Sequence, residues 1–294
     1  MAIRVSDQMM VSTALYNLRR NSRDLFRLQV MAASGRKILT PADDPLGAIK
    51  VMGFHSQLAR FEQYGRNIEH GLSWLSYTES VLSDLEGVIS RAREIAVSQS
   101  SDTADAESRR ECAPIVRELR EQVLQLANAK FGDRYIFAGL KNDSAPYTQD
   151  GAFQGDTRAF EIAVGHGIRV AINLVGPEVF SFDGTDLFQE LEGLAQALEE
   201  NDPEAIASKL DTLDQALEVV IRARAELGAR VERLESYKGI LEQTSLRLTE
   251  RLSEIADADI AEVLTELATR EVVYQASLLA TRRLLETNLA SLLG

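Results

Sequence analysis

The side chains that commonly carry catalysis or bind metals are sparse in this sequence of 294 residues. It holds one cysteine, Cys112, and three histidines, at positions 55, 70 and 166. A single cysteine excludes an internal disulfide framework and a multi-cysteine metal site, and the histidines are too far apart for a metal-ligand motif. The sequence contains no phosphate-binding loop, zinc-protease motif or nucleophile elbow. We therefore expect no enzymatic activity, no bound metal and no cofactor.

Two short motifs resemble sites, and each has a simpler structural explanation. Asp43 and Asp44 are candidate metal ligands, but Pro45 follows them, and an aspartate before a proline is typical of a helix start. Gly165 and Gly167 lie between two alternating apolar segments, where a hairpin turn is expected rather than a phosphate loop. Neither motif predicts chemistry.

The charge balance argues against two classes of partner. The chain has 45 acidic and 32 basic residues, a formal net charge of −13. Nucleic acids and anionic membranes are bound by cationic surfaces, so neither is an expected partner. No segment approaches the roughly 18 consecutive apolar residues of a membrane span, and the N-terminus lacks the apolar segment of a cleaved signal peptide. A cytosolic location and export through a machine that reads an uncleaved N-terminus both stay open.

Charge is also distributed unevenly along the chain. Residues 1–37 hold seven basic and two acidic residues, whereas residues 183–218 hold eleven acidic residues and a single base, Lys209. Arg20, Arg23 and Arg27 are expected on one helical face. Two interpretations stay open: both segments are solvated faces, or basic ends meet acidic surfaces on neighbouring copies.

Long helices are predicted on both sides of the middle of the chain. An apolar residue recurs every seven residues in two stretches, each preceded by an Asp-Pro start signal. These residues are Phe54, Phe61, Ile68, Leu75, Leu82, Ile89 and Ala96, then Leu213, Val220, Leu227, Leu234, Leu241, Leu248 and Ile255. A period of about 3.5 residues over six heptads is typical of helices that pack as coiled coils. At ~1.5 Å per residue the second helix is some 70 Å long, so we predict an elongated antiparallel helical bundle, or coiled-coil rod.

The two ends of the chain carry a further pair of heptad stripes. The stripes can pair, but two helices alone leave much apolar surface in water, which is stable only against other copies. Such copies form a ring or a helical tube if each offers this surface to the next. Asn21 occupies one seam position and is expected to fix register. The predicted assembly interface comprises Leu18, Asn21, Leu25, Leu28, Leu264, Leu267, Leu278, Leu285 and Leu292.

The segment between the long helices changes to a period of two. Residues 160–164 and 168–173 alternate around the glycine turn, which predicts a β-hairpin. Residues 135–138 and 179–182 are further strand candidates. A lone hairpin is marginally stable in water, so we expect these strands to share one small core. The residues expected to fill it are Phe137, Phe153, Phe160 and Phe180.

These patterns together predict a mainly α fold with a small β insertion and paired terminal helices. Five segments are expected along the chain. They are an N-terminal assembly helix (1–40), the N-terminal half of a helical rod (41–130), a small β-rich outer domain (131–185), the C-terminal half of the rod (186–256) and a C-terminal assembly helix (257–294).

The two ends of the sequence resemble the bacterial flagellins. The motifs are Ala33-Ser34-Gly35-Arg36-Lys37-Ile38 and Ala42-Asp43-Asp44-Pro45-Leu46-Gly47-Ala48, then Arg251-Leu252-Ser253-Glu254-Ile255-Ala256-Asp257-Ala258-Asp259 and Asn288-Leu289-Ala290-Ser291-Leu292-Leu293. Within that family, the segment at 134–139 (Arg-Tyr-Ile-Phe-Ala-Gly), leading to Pro146-Tyr147, is more similar to the hook–filament junction proteins, the third hook-associated proteins. The resemblance covers both helical zones and their join to the β segment.

This resemblance implies an axial structural protein of the flagellum, outside the cell. It implies export in an unfolded state through the flagellar type III channel, without a cleaved signal peptide. The implied partners are further copies in a ring, the first hook-associated protein below, flagellin above and an export chaperone on the C-terminal helix.

Two other functions stay open from the sequence alone. A short flagellin that forms the filament itself would carry the same terminal motifs. A cytosolic coiled-coil scaffold would have the same seam periodicity.

Overall fold

The computed structural model describes the backbone of residues 2–101, 104–182 and 184–293, and the side chains of residues 9–101, 104–182 and 184–286. The helices are α1 (Ala2–Ser34), α2 (Pro45–Gln99), α3 (Ala106–Ala127), α4 (Gly176–Phe180), α5 (Leu187–Glu200), α6 (Pro203–Ala256) and α7 (Ile260–Leu293). The strands are β1 (Lys130–Phe131), β2 (Arg134–Tyr135), β3 (Glu161–Gly165), β4 (Ile168–Ala171), β5 (Ser181–Phe182) and β6 (Thr185–Asp186). The mainly α fold class with a few short strands is confirmed.

The chain divides into two compact units. Residues 1–59 and 244–294 form the terminal unit, and residues 60–243 form the central unit. Helices α2 and α6 each contribute residues to both units.

The core of the central unit follows the predicted heptads. Ile68, Leu75, Leu82, Ile89 and Ala96 of α2 are fully buried, as are Leu213, Val220, Leu227 and Leu234 of α6. Side chains of α3, α5 and the β3–β4 hairpin complete the same cluster. This part of the helical prediction is confirmed.

Ion pairs between α2 and α6 supplement this core. Arg224 occupies a seam position of α6 and pairs with Glu79 and Glu86 of α2. Lys238, two heptads further along α6, pairs with Glu69, so the two helices run antiparallel. A polar residue at a coiled-coil seam specifies register, and Arg224 is placed for that role.

The hairpin β3–β4 packs directly on α2. Its strands pair antiparallel, with Ile162 opposite Val170, and Gly167 in the turn has φ +71°. A β-carbon at Gly71 of α2 would lie 2.6 Å from Cδ1 of Ile162, so a larger residue here would have to displace that side chain. The Asn67 side-chain amide also donates to the Ala163 carbonyl at 2.8 Å. The hairpin prediction is confirmed.

The other two strand predictions need correction. Strand β2 ends at Tyr135, and Ile136 and Phe137 lie in a turn because the chain reverses at Gly139, which has φ +64°. Val179 and Phe180 end the short helix α4, so only the second half of the 179–182 candidate is a strand.

The expectation of one small core filled by four phenylalanines holds for three of them. The strands form three separate antiparallel pairs in the described residues. Phe137 and Phe180 contact each other with ring centroids 5.2 Å apart, but Phe160 packs on Trp74 of α2. Phe153 joins the Phe137–Phe180 pair through Tyr147, whose ring centroid lies 5.3 Å from that of Phe153 and 5.3 Å from that of Phe180. The β segment therefore shares the hydrophobic core of the helices.

Candidate assembly interface

The two terminal helices pair along one face of each within the terminal unit. On α1 the face turned to α7 carries Leu18, Asn21 and Leu25, which are half-buried, and Leu28, which is buried. On α7 the facing residues are Val263, Leu267, Tyr274, Ser277 and Thr281. The paired terminal helices that the sequence predicts are confirmed.

The pairing face contains polar contacts as well as apolar ones. The Asn21 side-chain amide donates to the Ser277 hydroxyl oxygen at 2.9 Å, across the two helices. Arg270 of α7 lies 3.7 Å from the carboxylate of Asp24. A seam that buries such groups is less apolar than a strict leucine seam, and its polar contacts favour one register.

A short backbone pairing holds the bases of these helices together. Helix α1 ends at Ser34, and Gly35, which follows it, has φ +67°. The backbone amide of Lys37 donates to the Ala256 carbonyl at 2.7 Å, and the backbone amide of Ala258 donates to the Gly35 carbonyl at 2.9 Å. The C-terminal end of α1 is therefore anchored at the turn between α6 and α7.

The carboxylates near these turns act as helix caps and turn anchors. Asp44 accepts from the Gly47 amide at 2.9 Å, and Asp259 accepts from the Ala261 amide at 2.9 Å, so the predicted helix starts are confirmed. Asp43 accepts from the backbone amide and the hydroxyl of Thr40, and it pairs with Arg27. The hydrogen bonds from Thr40 are the main cause that lowers the pKa of Asp43, and Arg27 adds to it. Within the described residues no group of three His, Cys, Asp or Glu side chains is placed to hold a metal ion.

The structure separates the predicted interface residues into two sets. Leu18, Asn21, Leu25, Leu28 and Leu267 lie between α1 and α7. Leu264, Leu278 and Leu285 are 51%, 42% and 40% exposed, so they lie outside the contact with α1, and their place in an interface between copies stays a prediction. The side chain of Leu292 lies outside the described residues.

The face that α7 turns to α1 differs from the leucine stripe that the sequence predicts, and the cause is identifiable. The positions that face α1 include Ser277 and Thr281, which are polar and therefore do not register in an apolar pattern. The leucines one residue away from this face carry the stronger apolar signal. Leu267 and Tyr274, seven residues apart, are the apolar residues of the contact face, and their spacing is the signal that leads to it.

Exposed apolar side chains concentrate on the terminal unit. Of 23 large apolar side chains that are exposed in the described residues, 17 belong to the terminal unit, although it is the smaller of the two. On α7 an outer stripe of Leu264, Ala268, Val272 and Leu279 lies away from α1. Leu46, Ile49 and Met52 form a second exposed set at the start of α2. Contiguous apolar surface of this kind marks an interaction site.

The net negative charge of the chain lies in the central unit. Residues 60–243 contain 33 acidic and 19 basic residues, whereas the remainder contains 12 acidic and 13 basic residues. Like-charged surfaces repel when they approach, and a neutral surface does not. Copies can therefore meet through the terminal unit without the repulsion that the central unit would cause.

Family models match the terminal helices and much of the chain between them. The bacterial flagellin N-terminal helical region matches residues 5–142, and the bacterial flagellin C-terminal helical region matches residues 210–293. Together they match well over half of the chain. The chain belongs to the bacterial flagellin family.

Members of the family differ in how closely they match. Flagellar hook-associated protein 3 of Escherichia coli (strain K12) is 28% identical over 300 residues, which cover 94% of this chain and 95% of that protein. Flagellin of Halalkalibacterium halodurans is 24% identical over 245 residues, which cover 83% of this chain and 82% of that protein. The solved structure of flagellar hook-associated protein-3 from Legionella pneumophila has a TM-score of 0.62 at 16% identity, covering 70% of this chain and 99% of that one. This structural likeness shows that the fold is shared.

None of the helices in the described residues combines the length and the apolar character that a membrane-spanning helix needs.

Proposed function

We propose that this chain is a structural component of the bacterial flagellum that joins the hook to the filament and polymerises through its terminal helices. The observation that carries the proposal is the concentration of exposed apolar side chains on the terminal unit. Helices α1 and α7 cover only one face of each other, so their remaining apolar faces require further copies as partners.

A junction role is preferred to that of a filament-forming flagellin. The hook-associated protein 3 of E. coli matches 94% of this chain, whereas the flagellin of H. halodurans matches 83% at lower identity. A ring of copies would contact the first hook-associated protein on one side and flagellin on the other. Its place is extracellular, at the hook–filament junction, and the protein has no enzymatic role.

Export before assembly adds one further partner. We propose that the chain leaves the cell through the flagellar type III channel and that an export chaperone binds α7. Val272 and Leu279 on α7 are 67% and 60% exposed, so this helix needs cover in the cytoplasm as well as in the assembly. A cytosolic scaffold is the contrasting hypothesis, and absence of the protein from the medium of hook-bearing cells would favour it.

The decisive variant is Leu278→Asp, produced in a strain whose own gene copy is deleted. A carboxylate on the apolar outer surface of α7 would have to be buried unpaired at the interface between copies. We expect hooks without filaments and flagellin in the medium, as in the deletion strain, while fluorescence of the single tryptophan, Trp74, shows a folded central unit. Motile cells with normal filaments would contradict the proposal.

A matched control is available in the central unit. Ile168 lies near the tip of the hairpin and is 40% exposed, close to the 42% of Leu278. Ile168→Asp makes the same chemical change on a surface that the proposal leaves in solvent. We expect this variant to support filaments normally.

A further inference from the structure

Helix α1 presents a charged and aromatic face away from α7. Arg19, Arg20 and Arg23 lie on this face with Tyr16, which is exposed. Within the described part of the chain these three arginines have no ion-pair partner, whereas Arg27, one turn further along, pairs with Asp43. Three neighbouring guanidinium groups repel each other, so the face is stabilised by an anionic partner.

Four of the eleven carboxylates in the acidic segment noted in the sequence form ion pairs within the chain. Glu192 and Glu199 of α5 pair with Arg117 of α3, and Asp214 of α6 pairs with Arg93 of α2. Glu190 pairs with Lys209. These carboxylates are not available to a second molecule without breaking internal ion pairs.

A stripe of carboxylates on the outer face of α6 is not neutralised in this way. Glu204, Asp211 and Glu218 are exposed, stand seven residues apart and lie on the side of α6 opposite its buried seam. None of the three has an ion-pair partner among the described residues, and Arg222 lies on the same face one turn beyond Glu218. Ala207 and Ala225, also exposed, leave room beside the stripe for a large side chain.

We propose that the arginine face of α1 binds the acidic stripe of α6 in a second copy of this chain. The partner is a second copy because the stripe supplies carboxylates spaced along a helix, which complement arginines spaced along another. Interhelical ion pairs of this kind set partner choice and orientation in helical assemblies. The contact rests on the proposed function, which requires copies to meet, and it adds the residues that fix how they meet.

Charge exchange tests the contact. One variant carries Arg20→Glu with Arg23→Glu, a second carries Asp211→Arg with Glu218→Arg, and a third carries all four changes. Each pair alone places like charges in contact and is expected to reduce the fraction of hooks that bear filaments by more than about tenfold. The fourfold variant restores opposite charges and is expected to recover most filaments.

A matched control separates the stripe from net charge. Glu111 and Glu118 of α3 are exposed, stand seven residues apart and have no ion-pair partner in the described residues. Glu111→Arg with Glu118→Arg makes the same change in net charge and is expected to leave filaments intact. The tryptophan fluorescence of every variant is compared with the unmodified chain, so a folding defect is recognised separately.

Cross-linking gives a second readout that does not depend on filament formation. A photoreactive phenylalanine at position 16 is expected to capture α6 residues of another copy at hook tips, in the unmodified background and in the fourfold variant. The contact would be overturned if either pair of charge reversals left filaments intact, or if the fourfold variant did not recover filaments. Capture of a segment other than α6 would overturn it as well. Absence of the unmodified chain from hook tips would instead overturn the proposed function.

Discussion

The central and terminal units carry the same heptad pattern and differ in what covers it. Leu75 of α2 and Leu227 of α6 are completely buried, because α3, α5 and the β3–β4 hairpin close over them. Leu18 and Leu25 of α1 are only half-buried, since α7 covers one side of α1 alone. A heptad pattern thus predicts which face of a helix makes a contact, but the number of covering elements decides how much of it is buried.

This difference assigns separate roles to the two units. The central unit holds its own core and carries the net negative charge, so it needs no cover from other copies, and the central units of two copies repel each other. The terminal unit is close to neutral and retains apolar surface, so in the proposed assembly it is the unit that other copies stabilise. The following predictions test this contrast, from the largest effect to the smallest.

Truncation of a leucine to alanine should affect stability far more in the central unit than in the terminal unit. Leu75→Ala removes a completely buried side chain and should lower the free energy of unfolding of the central unit by about 2–5 kcal/mol. Denaturant unfolding followed by Trp74 fluorescence measures this change. Leu279→Ala on the exposed stripe of α7 should change local stability by at most about 0.5 kcal/mol, measured by hydrogen exchange of α7 amides. Equal losses at the two positions would remove the contrast.

Alanine substitutions at two glycines of α2 should change the stability in opposite directions. A β-carbon at Gly71 would lie 2.6 Å from Ile162 and 3.1 Å from Leu234, so Gly71→Ala should destabilise the central unit by about 1–3 kcal/mol. Nothing lies within 4 Å of a β-carbon at Gly53 in the terminal unit, so Gly53→Ala should stabilise helix α2 by about 0.5–1 kcal/mol. Thermal unfolding checks both signs, and stabilisation by Gly71→Ala would mean that the hairpin does not pack closely on α2.

The turn at Asp43 in the terminal unit should respond to acid. The pKa of Asp43 is lowered from 3.8 by its hydrogen bonds with Thr40 and by Arg27, so its stabilising effect is present above pH 3.8 and is lost as the pH falls through the lower, folded-state value. Amide exchange of residues 38–43 should therefore rise in that acidic range. In Asp43→Asn the exchange should already be faster at neutral pH and no longer change there; a pH response retained by that variant would exclude Asp43 as its cause.

The sequence predicted contacts that local periodicity encodes. The buried seams of α2 and α6, the 160–173 hairpin and the caps at Asp44 and Asp259 all follow from residue type and spacing within a few turns of chain. Contacts that depend on distant chain segments were not predictable in this way. Arg109 can be buried because its guanidinium donates to the carbonyls of Gln99 and Ser101 and to the side chain of Asn201. No local sequence pattern predicts this set of partners.

The predictions for the candidate interface differ in the same way between α1 and α7. The α1 residues Leu18, Leu25 and Leu28 face α7 as the heptad predicts, because leucines occupy that face on both sides of Asn21. The α7 residues Leu264, Leu278 and Leu285 lie outside the contact with α1, because the polar residues Ser277 and Thr281 are on the contact face instead. Leu264, Leu278 and Leu285 therefore stay predicted contacts to other copies. Their exposure is what makes α7 available to a second molecule.

The most direct test of the account is amide hydrogen exchange of the dilute, purified chain, compared between helices. The account predicts that the amides of α1 and α7 exchange about 100-fold faster or more than those of α2 at residues 68–96, because the terminal helices lack cover from other copies. Terminal helices that exchange as slowly as this central segment in the isolated chain would contradict it.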